Sequence, residues 1–327
     1  DDVSSSSSMP SLQSILPPVA VAGGGNLSLS PSGAELLGIS FVPGIPVAPP
    51  EGDQPAALAG SLIAEAGMVS MSFGTSIVAN AVGDRPFGDG CSDMVDHFCA
   101  ADGKPINMIW IQNGTTFLNS MVKMFGNDFS VVMPQLLEAS PDCGGLLALP
   151  FLHDEPGVGI ATKTTALVGL TAQNATPGNV AKASLLGPIY NLQLGTTILD
   201  QKGYPRTEIV LTGGITKTIE CCQIVADVFG VPVRVLESGE EGSAWGGAVL
   251  AKYRRTMMMM TTTTEDDGDD DARKESPSWT EFCGQLVGKQ VGFRKFEPNK
   301  DAEIEYQRSF ERYKELLKVQ PELAKLS

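Results

Sequence analysis

Gly52-Asp53-Gln54-Pro55 stands ahead of Ala56 to Ile63, a run of small and apolar residues that reads as a helix. This places Asp53 at the N-cap and Pro55 in the first turn, where an oxygen acceptor and a residue lacking an N–H are favoured. A carboxylate there can be a plain structural cap. It can also serve as a general base, because the helix amides and dipole favour its ionised form. Downstream, Met68 to Phe73 and Ile77 to Ala79 are short apolar runs around Gly74-Thr75-Ser76 and read as a hairpin. Glycine lets a ligand approach the backbone of such a turn, and the amides and two hydroxyls can hold a phosphate. The same residues also suit an ordinary hairpin. Gly213-Gly214 and the group Gly239, Gly242, Gly246 and Gly247 lie at strand-to-helix turns, where open α/β sheets take up nucleotides. Close packing of helix on strand accounts for these glycines equally well.

Several other chemistries are excluded by spacing. The chain has no G-x-x-x-x-G-K-[ST] loop, and Gly213-Gly214-Ile215-Thr216 lacks the G-x-G-x-x-G spacing of a dinucleotide site. His97 and His153 have neither an i, i+4 partner nor a neighbouring cysteine pair, so no zinc site is expected, and the metal assignment is none. There is no G-x-S-x-G elbow. The six cysteines, Cys91, Cys99, Cys143, Cys221, Cys222 and Cys283, form no C-x-x-C pair and read as free thiols of a reducing compartment. The acids from Glu265 to Asp271 suggest calcium, but Thr263 stands where an EF-hand loop needs an acid ahead of Gly268, and a solvated linker fits better. Trp110, Trp245 and Trp279 are isolated and read as packing residues.

The elements that must position these residues follow from pattern and composition. Among the 327 residues, 42% are hydrophobic, yet no apolar run approaches the roughly 18 needed to span a membrane. Lys and Arg number 23 against 38 Asp and Glu; the formal charge of −15 repels nucleic acid and anionic lipid. The N-terminus carries no secretion signal and starts at Asp1, which suggests a piece of a longer, cytoplasmic protein. Residues 1–19, with five consecutive serines and Pro17-Pro18, are expected to be a disordered tail. Residues 256–277 read as a low-complexity acidic linker and 278–327 as a helical extension whose amphipathic stretch covers 300–318. Between them, 20–255 reads as a layered α/β domain. Its clearest part is a strand at Glu208 to Thr212, a helix ending at Gly230, a strand at Val231 to Leu236 and a helix from Ala244 to Arg254.

Four segments in order, Pro49-Pro50-Glu51-Gly52-Asp53-Gln54, Ser72-Phe73-Gly74-Thr75-Ser76, Leu211-Thr212-Gly213-Gly214 and Glu241 to Ala248, resemble the C-terminal half of FGGY carbohydrate kinases, with xylulokinase-like members nearest. Val168-Gly169-Leu170, Asn179-Val180 and Ala183-Ser184-Leu185 fit the same family's pattern, which departs at Leu186 and at Asp154-Glu155, where Gly-Glu is usual. The resemblance covers about 20–255. It implies an α/β, ribonuclease H-like (actin-like ATPase) domain, the C-terminal half of a two-domain sugar kinase. It also implies that Asp53 is the catalytic base, that Gly74 and Thr75 contact the ATP phosphates, that Gly213, Gly214 and Thr218 border the adenosine, and that Gly114 of Asn113-Gly114-Thr115 lies near the nucleotide. The expected partners are a small sugar, ATP with Mg²⁺, and the N-terminal kinase domain that this sequence lacks. Without that domain the chain is expected to be inactive alone. A non-catalytic nucleotide-binding or regulatory module that kept the fold is the alternative.

Overall fold

The structure is a computed structural model that describes residues 11–16, 22, 24–25, 27–88, 95–237, 242–262 and 276–326. In chain order the described elements are α1 (Leu12–Ile15), α2 (Pro31–Leu36), α3 (Asp53–Gly60), β1 (Met68–Phe73), β2 (Ile77–Val82), β3 (Asp96–Cys99) and β4 (Pro105–Ile111). They continue with α4 (Thr116–Met124), α5 (Phe129–Glu138), β5 (Leu147–Phe151), β6 (Thr164–Val168), α6 (Pro177–Gln201), β7 (Glu208–Gly213), α7 (Cys221–Phe229) and β8 (Val233–Leu236). The last are α8 (Gly242–Thr262), α9 (Trp279–Leu286), β9 (Phe293–Phe296) and α10 (Lys300–Ala324).

Seven strands form one sheet in the order β3-β4-β2-β1-β7-β8-β9, and β5 pairs with β6 separately. The hairpin expected around Gly74 to Ser76 is present, with β1 and β2 antiparallel and Phe73 opposite Ile77. β4 continues antiparallel on β2, whereas β7 lies parallel to β1 and β8 parallel to β7. Parallel neighbours need a crossover, and α7 supplies it between β7 and β8. The inner order β4-β2-β1-β7-β8 is the mixed five-stranded core of a ribonuclease H-like fold, as the family resemblance implied.

Side chains alternate across the sheet, so each face builds a different core. Val69, Met71, Phe73, Ile209 and Leu211 pack in one cluster with residues of α6, α7 and α10. Met68, Val82, Ile106 and Val210 occupy the other face, covered by Leu58 and Ile63, by Val249, Leu250 and Tyr253 of α8, and by Trp279 and Phe282 of α9. Farther along β1, at alternate positions, this second face carries Ser70, which is buried, and Ser72, which is exposed. A cleft opens at that point. α3 and α8, which roof it, cross at glycines: a Cβ on Gly246 would stand 1.7 Å from the carbonyl oxygen of Ala56. No side chain fits at position 246.

α3 begins at Asp53, three residues earlier than the sequence pattern suggests, because Pro55 needs no N–H in a first turn. Gly52 is the N-cap, its carbonyl accepting the Ala56 N–H at 3.0 Å; Asp53 is therefore the first helical residue and not the cap. α7 ends as expected at Gly230, which adopts φ 66°. α8 runs on to Thr262, into the segment read as linker, since methionine is a good helix former. The acidic run read as linker falls within 263–275, and most of the tail, Cys91, Gly239 and Glu241 likewise lie outside the described residues. The C-terminal segment does more than add a helix. β9 extends the sheet antiparallel to β8, and Tyr306, Phe310 and Tyr313 of α10 enter the first core. Among the described residues no helix is long and apolar enough to cross a membrane.

Candidate functional site

The parallel register of β1 and β7 sets Phe73 beside Gly213 at the strand ends. Gly213 has φ 83°, and a Cβ there would lie 2.4 Å from the Phe73 carbonyl oxygen, so only glycine fits. Gly74 follows Phe73, and its turn is closed by the Gly74 N–H donating to Ser76 O at 2.9 Å. The segment after β4 then laces onto this turn. Gly114 N–H donates to Thr75 O at 2.9 Å and Thr115 N–H to Gly74 O at 3.0 Å. Thr115 Oγ1 donates to the same Gly74 carbonyl at 2.8 Å. A Cβ on Gly114 would approach both carbonyl oxygens to 2.7 Å. Three glycine turns that are far apart in sequence thus meet backbone against backbone.

Together they form a ridge between two cavities. The first, of about 680 Å³, is the cleft beside α3; Gly74, Thr75, Gly213 and Gly214 line it, together with Gln54 and Asn80. The second, of about 750 Å³, lies on the other side and is largely apolar, with Leu118, Met133, Leu137 and Leu185 among its walls and Thr115 and Thr218 at its polar edge. Gly214 and Lys217 line both. Of the residues singled out from the sequence, Gly74, Thr75, Gly213, Gly214 and Thr218 border a cavity, and Gly114 supports the ridge from behind. Asp53 stands one residue before Gln54, at the exposed start of the helix that roofs the cleft. Its Oδ1 accepts the Gln54 N–H at 2.8 Å, and its carbonyl accepts Ser243 Oγ at 3.0 Å, which joins the first turns of α3 and α8.

Glu155 is a support of the 113–115 turn that sequence reasoning missed. It is fully buried, and its carboxylate accepts the N–H groups of Gln112 and Asn113, both at 2.8 Å, and Asn113 Nδ2 at 2.9 Å. Asn113 in turn donates from Nδ2 to His153 O and accepts the His153 N–H. The 113–115 turn is therefore clamped from below by a buried carboxyl group that accepts three N–H bonds. The signal was present only as Asp154-Glu155, an apparent departure from the family pattern.

The chemistry available in the cleft is that of hydroxyls, carboxamides and backbone amides. Asn80 is 6% exposed, lines the cleft, and keeps its Oδ1 buried without a hydrogen-bond partner among the described residues. No group of three or more His, Cys, Asp or Glu among the described residues is arranged to hold a metal ion. Such an oxygen-rich, carboxylate-poor wall fits the water shell of a hydrated Mg²⁺ ion. In the second cavity, burial pushes the Cys221 thiol up to about 12, with Cys222 and Glu220 adding and Lys182 opposing, so this sulfur stays protonated and is no nucleophile. The described cysteines are free.

The profile of the FGGY family of carbohydrate kinases, C-terminal domain, matches residues 69–254. Xylulose kinase of Haemophilus influenzae is 26% identical over 187 residues, covering 57% of this chain and 38% of that protein. Two solved structures, ligand-bound xylulose kinase and gluconate kinase, both from Lactobacillus acidophilus, superpose with TM-scores of 0.76 and 0.73 at 20% and 19% identity. Each superposition covers 95% of this chain and 59% of the other, and at these identities the likeness establishes the fold. The chain spans well under two thirds of the length of these relatives. With the profile match extending over more than half of its residues, the chain belongs to the FGGY family of carbohydrate kinases and carries that family's C-terminal domain.

Proposed function

We propose that this chain is the nucleotide-handling half of an ATP-dependent sugar kinase that transfers the γ-phosphoryl group to a hydroxyl of a pentulose such as xylulose. The observation that carries this reading is the ridge. Gly74-Thr75, Gly114-Thr115 and Gly213-Gly214 are locked together between an apolar cavity large enough to admit a nucleoside and a cleft lined by hydroxyls and carboxamides. In this reading the adenosine occupies the cavity walled by Leu118 and Met133 and edged by Thr218. The phosphates cross at Gly213-Gly214 and end on the amides and hydroxyl of Gly74-Thr75. Mg²⁺ enters as part of the nucleotide and neutralises phosphate charge, while Thr75, Thr212 and Asn80 offer oxygens to its water shell.

Asp53 is the base. It must come within about 3 Å of the acceptor hydroxyl, take its proton, and let that oxygen attack phosphorus in line. Its exposed place at the start of α3 leaves the carboxylate open to a substrate held by a second domain across the cleft. The sugar contacts and the water-excluding closure belong to an N-terminal domain, without which phosphoryl transfer has no acceptor site and ATP meets bulk water. The 327 residues alone are therefore expected to bind ATP weakly and to transfer little phosphate, in the cytoplasm where such substrates occur.

The test is a chimera joining this chain to the N-terminal domain of a xylulose kinase, assayed with ketoses and polyols. Asp53→Asn should lower kcat by about 10²- to 10⁴-fold while leaving the affinity for ATP in place. Unchanged turnover would remove Asp53 from the reaction. Turnover lost together with nucleotide affinity would make it a residue of the fold.

A further inference from the structure

Among the described residues that line the two cavities, Lys217 is the sole cationic side chain and borders both, while Glu220 is the acidic residue of the second. Lys217 ends the single 3-10 turn, Gly214–Lys217, that follows Gly213 on β7. The turn is held by Thr216 Oγ1 donating to Gly213 O at 2.8 Å and by Thr218 N–H donating to Ile215 O at 3.2 Å, so the base of the side chain is fixed at the ridge. Several other cations among the described residues are committed elsewhere. Arg206 is paired with Asp200 and Arg234 with Glu208, and the lysines and arginine of α10 that form ion pairs do so with glutamates of their own helix. None of the ion pairs among the described residues uses Lys217, and its side chain is exposed.

A chain with a net charge of −15 repels a polyphosphate over most of its surface. Glycine-turn amides contribute partial positive charge and direction, but no whole charge. A polyanion that crosses from one cavity to the other needs a counter-charge at the crossing, and an ammonium on a long stem at that point supplies one. We propose that Lys217 pairs with the diphosphate portion of the bound nucleotide and thereby makes this site select nucleoside di- and triphosphates over the nucleoside. This rests on the nucleoside reading of the second cavity and assigns a further binding residue to it.

The experiment titrates the 327-residue protein, Lys217→Met and Lys217→Arg with ATP, ADP and adenosine by calorimetry, in Mg²⁺ buffer at low and at raised salt. Lys217→Met should weaken ATP and ADP by about tenfold and leave adenosine unchanged, as loss of one charge-assisted contact predicts. Lys217→Arg should recover most of that loss, and the gap between wild type and Lys217→Met should narrow as salt screens the charge. If wild type prefers ATP to adenosine and Lys217→Met keeps the same preference, the assignment is overturned while the nucleotide reading stands. An equal loss for adenosine would make Lys217 a structural residue and overturn it too. Should wild type bind none of the three, the nucleoside reading falls and takes this inference with it.

Discussion

Asp53 and Glu155 are two carboxyl groups near the same cleft, neither of them in its wall, held under opposite conditions. Asp53 is exposed on the first turn of α3, and its carboxylate holds one hydrogen bond, to the amide of the next residue. Glu155 is fully buried below the ridge and engages three N–H donors more than forty positions away in the chain. A carboxylate that is to accept a proton must keep an oxygen free, whereas one that organises a backbone turn must have its oxygens occupied. Burial without those partners would carry a severe desolvation cost. The same division separates the glycines. Gly74 and Gly214 face the cavities, and Gly114 and Gly246 exist to let backbones touch.

The contrast can be broken at its strong end first. Glu155→Ala would strand the backbone N–H groups of Gln112 and Asn113 and leave a void where the buried carboxyl group stood, and is expected to lower the unfolding free energy by about 3–5 kcal/mol, measured by urea titration. A loss below about 1 kcal/mol would mean that the 113–115 turn holds itself on the Gly74 carbonyl. Gly246→Ala comes next. Alanine is the better helix former, yet its Cβ would collide with the Ala56 carbonyl and force α3 away from α8, for a net cost of about 2–3 kcal/mol by the same titration. An unshifted midpoint would show that the two helices can part without consequence. At the weak end, Asp53→Ala should move Tm by less than about 2 °C, since the residue is exposed and its side-chain bond is local. A fall of several degrees would place Asp53 with Glu155 among the structural carboxylates and erase the distinction.

How much of this was readable in one dimension differs by element. β1 and β7 were legible because apolar runs end at Gly74 and at Gly213-Gly214, β2 in its first half only, since it runs on to Val82 beyond the expected Ala79, and α7 because its apolar spacing stops at a left-handed Gly230. β9 was not: Phe293-Arg294-Lys295-Phe296 is short and half charged, and it becomes a strand only because β8 offers it an open edge. α3 was displaced by three residues, since a proline in a first turn does not mark which neighbour is the cap. The glycines and Asp53 stood out in the sequence because their residue types are restrictive at turns and helix starts. Lys217 and Glu155 were passed over because a lysine or glutamate in a loop is ordinary until its surroundings are known.

Residue order settled which positions need no side chain, which stretches alternate, and which carboxylate heads a helix; these are local properties of φ, of period and of hydrogen-bonding groups. Tertiary structure decided which turns touch. The pairing of β1 with β7 brings Gly213 against Phe73, and the clamp of Glu155 brings 113–115 onto Gly74, through contacts across some 40 to 140 residues whose partners have no local signature. A site assembled from backbone amides has that character, because every residue carries the donor and only packing determines which of them converge.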